Sequence, residues 1–303
     1  MNHLQAGLSA LSVVVASAHS RAGLEACLAS LHDQVADGET EVIAVSNCCS
    51  GAGRSMEAAF PYVRLIEAPP GTTVPALRTI GIQAATGRIV ALLEDNSIVG
   101  PTWCRAIRRA HDAGQEIVGG AVERVGRHRA VDWAVYFYEY GKYMLPCIEG
   151  ASATLSGNNV SYKWTLLEQI RDEFRDGFFE AFLHERLRSQ GHMLFMAPDA
   201  VVYHTQNYQV GTVLVQTFHH GRHYAGRRVA AASVITRLGY AAGSTLLPVI
   251  LPLRIARLVL LRKRHVRELM VAMPYLVLFM TSWACGELMG YLFGEGESVR
   301  QWA

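Results

Sequence analysis

Two carboxylates and an amide, Glu94, Asp95 and Asn96, follow directly on the apolar run Ile89-Val-Ala-Leu-Leu93. A short, uniformly apolar, β-rich run is what a strand buried on both faces requires. Polar groups released together at the carboxyl end of such a strand stand where open α/β sheets bind their ligands. Hard oxygen donors there suit a divalent cation, Mg²⁺ or Mn²⁺, and through it a phosphate. The same residues also suit a plain cap on the helix or loop that follows. A second concentration of chemistry lies at Phe218-His-His-Gly-Arg222-His-Tyr-Ala-Gly-Arg227-Arg228. Its guanidinium and imidazole donors match a diphosphate or a phosphorylated lipid, and equally an anionic membrane surface.

The elements that must position these groups can be read from periodicity. Leu11–Ala16, Glu41–Val45, Tyr62–Ile66 and Ile89–Leu93 read as strands, and Glu116–Glu123, Leu194–Ala197 and Ala200–Tyr203 as further ones. Between them, Arg21–Gln34 and Val74–Ala85 carry apolar residues at helical spacing, and another helix runs from Trp103 to about Ala113. Strands alternating with helices predict an α/β fold, a doubly wound and mostly parallel sheet flanked by helices. Gly51-Ala-Gly53 would suggest a dinucleotide loop, but the third glycine position is Met56, so a surface turn is the better reading.

The chain has 303 residues, half of them hydrophobic, and a net charge of +2. Near-balanced charge and the lack of a recognition motif exclude a nucleic-acid role. The six cysteines show neither metal-ligand spacing nor a secretory framework, which implies reduced cytosolic thiols. The hydrophobic excess lies beyond Tyr240. Tyr240–Leu261 is apolar but holds Pro248, Pro252, Arg254 and Arg257, and Leu269–Phe293 is longer and cleaner, interrupted by Glu287. Basic residues flank the first segment on both sides, so crossing the bilayer would strand one cluster outside, against the positive-inside tendency. It is therefore expected to lie in the interface or to dip in and return, its prolines breaking the helix. The second segment either spans once or packs beside the first. A hairpin buried on a second copy of the chain is the alternative.

The order of these features resembles that of family 2 glycosyltransferases, inverting enzymes of the GT-A fold, over roughly Leu11 to Arg228. Pro75-Ala-Leu-Arg78-Thr-Ile-Gly81 is similar to the family's Ala-Arg-Asn-x-Gly segment, and Glu94-Asp95-Asn96 occupies the place of its Asp-x-Asp. The resemblance implies a metal held by Asp95, Asn96 and His204, the histidine ending the strand Val201-Val-Tyr-His204. It implies donor contacts from Ala16, Ser17, Ser46, Asn47, Arg78, Glu94 and Asp95. Asp176-Gly-Phe-Phe-Glu180 with Arg186-Leu187 and Gly191 resembles the helix that carries the catalytic base and assigns that role to Glu180. Gly157-Asn158-Asn159 resembles the acceptor-side segment, with Asn158 and Asn159 there, and Arg222 and Arg227 become acceptor or phosphate contacts.

The chain then divides into a glycosyltransferase domain over 1–228, with a nucleotide-binding half at about 8–115 and an acceptor half at about 116–210, and a hydrophobic helical membrane-association region over 229–303. The expected activity is transfer of a sugar from a nucleotide-sugar donor to a hydroxyl of a lipid-linked or polysaccharide acceptor, at the cytoplasmic face of the inner membrane. Ser46 stands where the family usually has an aspartate, and Asn96 where it usually has a metal-binding carboxylate. These two lost charges also fit a non-catalytic, membrane-tethered scaffold or nucleotide-sugar-binding subunit.

Overall fold

The seven residues Leu11–Ser17 are all buried, as are six of the seven in Thr40–Ser46 and five of the six in Ile89–Glu94. Such strands need cover on both faces, and the intervening helices supply it. The computed structural model describes residues 10–36, 38–48, 53–126, 129–298 and 301; Gly51 and Ala52 of the glycine turn lie outside them. In chain order the elements are β1 (Leu11–Ser17), α1 (Arg21–Leu31), β2 (Thr40–Ser46), α2 (Gly53–Ala59), β3 (Val63–Glu67), α3 (Val74–Ala84), β4 (Ile89–Glu94), β5 (Ser97–Val99), α4 (Trp103–Asp112), β6 (Ile117–Arg124), α5 (Ala130–Glu139), β7 (Gly150–Ser152), β8 (Asn159–Lys163), α6 (Trp164–Gln169), α7 (Glu180–Ser189), β9 (Leu194–His204), α8 (Val210–Arg228), α9 (Val234–Ser244), α10 (Leu247–Arg262) and α11 (Val266–Phe293).

The chain packs as two compact units, residues 1–125 with 143–205, and residues 126–142 with 206–303. In the first, the described strands form one sheet in the order β3-β2-β1-β4-β8-β6-β9-β5, with β7 pairing β9. The β3-β2-β1-β4 half is parallel, as the alternation of strands and helices predicts, and β8 runs antiparallel to β4 and β6. Leu24, Cys27 and Leu28 of α1 and Trp103 and Ile107 of α4 share a core with Leu11, Val13, Val15, Ala91 and Leu93 of the sheet. The two short strands expected near 194–203 are one strand, β9. It accommodates Pro198 and Asp199 because its pairing with β6 shifts register between Gly120 and Val122, so the extra residues bulge out of the ladder.

In the second unit, α5 and α8 to α11 pack as helices. Tyr240–Leu261 is not one helix. It breaks between α9 and α10, which are bent by 62°, and Pro248 sits in the first turn of α10 where a missing N–H costs nothing. α11 has 28 residues and is the one described helix long and apolar enough to cross a membrane by itself.

Candidate active site at the carboxyl ends of the strands

Parallel register brings Ala16 level with Val45 and Glu94, and Ser17 level with Ser46. The carboxyl ends of β1, β2 and β4 therefore open at one edge. Ser46 Oγ donates to Ser17 Oγ at 3.4 Å, and the Cys48 Sγ lies 3.4 Å from both. Asn47 turns away, its amide donating to the Thr72 carbonyl at 2.6 Å and tying β2 to the loop before α3.

Helix α3 starts from a Thr73 cap with Pro75 in its first turn. A Cβ at Gly81 would fall 2.2 Å from a Val14 methyl, so only glycine lets α3 lie this close to β1. That contact carries Arg78 into the strand edge, where its side chain is 5% exposed and bridges two carboxylates. Nη2 donates to Glu94 Oε1 at 2.6 Å, and Nη1 donates to Glu180 Oε2 at 2.6 Å. Glu180 opens α7, a position the helix dipole favours for an anion, and its side chain remains 29% exposed. Burial raises the Glu180 pKa, but the Arg78 charge, with smaller contributions from its own backbone and His184, outweighs that and holds it below the usual carboxylate value. Gly157 forms the wall behind the pair. A Cβ there would lie 2.4 Å from the Glu180 carboxyl carbon and 2.9 Å from Arg78 Nη2. Beside it, Asn158 is buried; its Oδ1 accepts from Ser156 Oγ at 2.7 Å, while its Nδ2 has no partner among the described residues.

One expectation is corrected here. Asn159 does not face an acceptor. Trp103 Nε1 donates to its Oδ1 at 2.8 Å, and its Nδ2 donates to the Ala121 and Ala200 carbonyls at 2.9 and 2.8 Å, so the whole amide is used in tying β8 to its neighbours. Asp95, Asn96 and His204 are the residues expected to hold a metal. Asp95 is 1% exposed, and its Oδ2 accepts from Ser17 Oγ (3.0 Å), His19 N (2.9 Å) and Ser20 N (3.1 Å), while Oδ1 meets His19 Nδ1 at 2.6 Å. Burial raises its pKa; the hydrogen bonds and charge of His19 and the Ser20 N–H outweigh that and keep it low. Asn96 Oδ1 accepts from Ser97, its Nδ2 lies 3.4 Å from Glu94 Oε2, and its carbonyl accepts from Thr205. His204 pairs across the ladders with Ser97 and Arg124; burial, then the charges of Arg124 and His19, push its pKa down to about 3, so it is a neutral imidazole. Among the described residues, no three His, Cys, Asp or Glu side chains converge as a cation cage. In this arrangement the side-chain polar atoms of Asp95 and Asn96 already have protein partners.

Arg222 and Arg227 lie on α8 of the second unit. The Arg222 Nε donates to the Gly294 carbonyl at 3.1 Å, and Arg227 is exposed. Sequence reasoning missed His19 and Ser20, whose signal was the polar cluster Ser17-Ala-His-Ser20 just past a buried strand.

A doubly wound sheet with acidic and basic side chains gathered at its carboxyl ends defines an α/β protein with its ligand site at those ends. The family model described as glycosyltransferase-like family 2 matches residues 9–222, and the chain belongs to that family. Among solved structures it is similar to the mannosyltransferase PcManGT from Pyrobaculum calidifontis, in complex with GDP-Man and Mn²⁺, at 13% identity and a TM-score of 0.58, over 93% of this chain and 88% of that one. It is also similar to residues 1–349 of S. aureus TarS in complex with UDP-GlcNAc, at 14% identity and a TM-score of 0.50, over 66% of this chain. It spans 59% of the length of that chain. No curated protein matches it significantly in sequence.

Proposed function

We propose that this chain transfers a sugar, with inversion, from a nucleoside-diphosphate sugar to a hydroxyl of a lipid-linked or polysaccharide acceptor, with Glu180 as general base. The observation that carries this reading is the bridge through Arg78, which joins the donor-side Glu94 and Glu180 in one cluster walled by Gly157. An ionised, part-exposed carboxylate takes the proton from the acceptor hydroxyl as its oxygen forms a bond to the anomeric carbon. On the opposite face the bond from that carbon to the diphosphate breaks, and the nucleoside diphosphate leaves with the electron pair. Ala16, Ser17 and Ser46 line the strand ends where the donor's nucleotide would rest, and the spare Asn158 amide would serve the acceptor. No step of this reading runs through a metal.

The acceptor and the location are read from the second unit. Its apolar, basic helices support attachment at the cytoplasmic face of a membrane, where lipid-linked or growing glycans are met. Arg222 and Arg227 are the residues proposed to meet phosphate there. The decisive experiment is Glu180→Gln, which keeps shape and removes the base. Transfer, read as nucleoside diphosphate released in the presence of acceptor, should fall by about 10²–10⁴-fold with the thermal midpoint unchanged. Near-normal turnover would remove Glu180 from the reaction.

A further inference from the structure

We infer that the second unit seats in a single leaflet of an anionic membrane, along the face of α9 and α10, and that α11 does not cross the bilayer. This rests on the membrane attachment proposed above and goes on to fix its topology.

The first observation is what accompanies α11. Ser282 Oγ donates to the Leu214 carbonyl at 2.7 Å, and Arg222 donates to the Gly294 carbonyl. Between these points the two helices touch backbone to backbone: a Cβ at Gly286 would lie 2.0 Å from the Phe218 carbonyl oxygen, one at Gly221 2.5 Å from the Trp283 oxygen, and one at Gly290 2.4 Å from the Arg222 oxygen. Residues 282–294 of α11 and its end therefore cannot enter hydrocarbon without α8, which brings His219, His220, Arg222 and His223. An arginine at the bilayer centre is costly, by at least about 2.5 kcal/mol even on the mildest scale. The apolar stretch left to α11 is Leu269–Thr281, which at about 1.5 Å per residue reaches roughly 20 Å. The hydrocarbon core is about 30 Å thick.

The second observation is the broken pair. α9 and α10 have 11 and 16 residues, too few for either to span, and the 62° bend prevents their adding up to one straight span. Their exposed side chains are nevertheless those of a buried surface: Val234 is 70% exposed, Ile235 84%, Leu253 65% and Leu261 70%. A bilayer leaflet is the occupant that matches the charge as well. From 229 to 293 the chain carries seven arginines and lysines against two glutamates. Arg254 and Arg257 are exposed on α10 itself, and Arg262-Lys-Arg264 and Arg267 follow at its end. An apolar face set among cations, in helices lying in the plane, is how a helix binds anionic headgroups without crossing.

The test uses the full chain with an epitope tag at each end, in inner-membrane vesicles of both orientations. The expected result is that external protease removes both tags from inverted vesicles and neither from right-side-out ones. In parallel, the purified chain should sediment with vesicles of 30% phosphatidylglycerol in phosphatidylcholine and bind pure phosphatidylcholine about tenfold less or weaker, each basic residue near the surface contributing about 1 kcal/mol. Tags protected on opposite sides would overturn the single-leaflet inference while leaving attachment intact. Equal binding to the two vesicle types would overturn its anionic part. A chain found in the soluble fraction without detergent would overturn the attachment itself, and a dimer there would identify a second copy as the occupant of the apolar face.

Discussion

In the first unit the aliphatic side chains of β1, β2 and β4 meet those of α1 and α4 and are almost wholly out of water, while the charged groups gather at the strand ends and neutralise one another. In the second unit Val234, Ile235, Leu253, Leu261 and Met270 stand in solvent, and it is a carboxylate, Glu287, that is buried, accepting from Trp283 Nε1 at 2.6 Å and Tyr291 Oη at 2.9 Å. A sheet packed between helices satisfies itself in water. A helical unit that shows a run of large apolar residues to solvent is arranged for a different medium outside. The comparison predicts that charge changes in the first unit damage chemistry or fold, whereas charge changes on the α9–α10 face of the second leave both untouched.

After Glu180→Gln, the largest effect should come from Arg78→Gln. Losing the guanidinium frees Glu180 from its anchor, and misplacement of a reacting group on this scale costs about a hundredfold in kcat/KM. The sign of the pH effect follows from the pairing. Glu180 is held below the usual carboxylate value by Arg78, so its base form is present above that lowered value and is lost as pH falls through it. With Arg78 gone, burial is opposed only by the smaller contributions of the Glu180 backbone and His184, and the value moves upward. The acid limb of the kcat/KM profile should move to higher pH, and Arg78→Lys should move it part of the way back. A limb that stays in place in both variants would show that Arg78 only supports the fold.

Asp95→Asn comes next and is a matter of stability. Four donors converge on this carboxylate, and the amide can satisfy only some of them. Breaking a buried charged pair of this kind costs about 2–4 kcal/mol, read by urea unfolding without added metal. The contribution is present above the ordinary carboxylate pKa and disappears as pH falls through the lowered one, so wild type and variant should converge in acid. A variant as stable as wild type at neutral pH would return Asp95 to the cation-holding role that the family resemblance implied.

Why the sequence conveyed some of this and not the rest has a physical reason. The parallel strands were legible because a strand buried on both faces must be a continuous apolar run, and Ile89–Leu93 is one. β5, three residues long, carries too little pattern to be seen, and Pro198 with Asp199 disguises the continuity of β9 because a bulge excuses a breaker only when its partner strand is known. Glu94 and Glu180 were visible singly, through position and resemblance. The bridge between them was not, since Arg78 and Glu180 are 102 residues apart and only the fold brings them to 2.6 Å. The surroundings of the residues expected to hold a metal were out of sight for the same reason: the hydrogen bonds of Asp95 to His19 and Ser20, and of the Asn96 carbonyl to Thr205, are made only by the fold.

The smallest effect is the sharpest for the comparison. Leu253→Glu places a charge on the most apolar helix of the bent pair, at a side chain 65% exposed. In water little is lost, since most of the leucine's surface is already exposed. The unfolding free energy of the detergent-free chain should therefore stay within about 0.5 kcal/mol of wild type, the ordinary range for an exposed substitution. Affinity for anionic vesicles should nevertheless fall, because the same change removes a buried aliphatic group from the bound state and sets an anion against anionic headgroups. A large loss of stability instead would mean that Leu253 is already covered within the folded chain, and the contrast between the two units would then disappear at that residue.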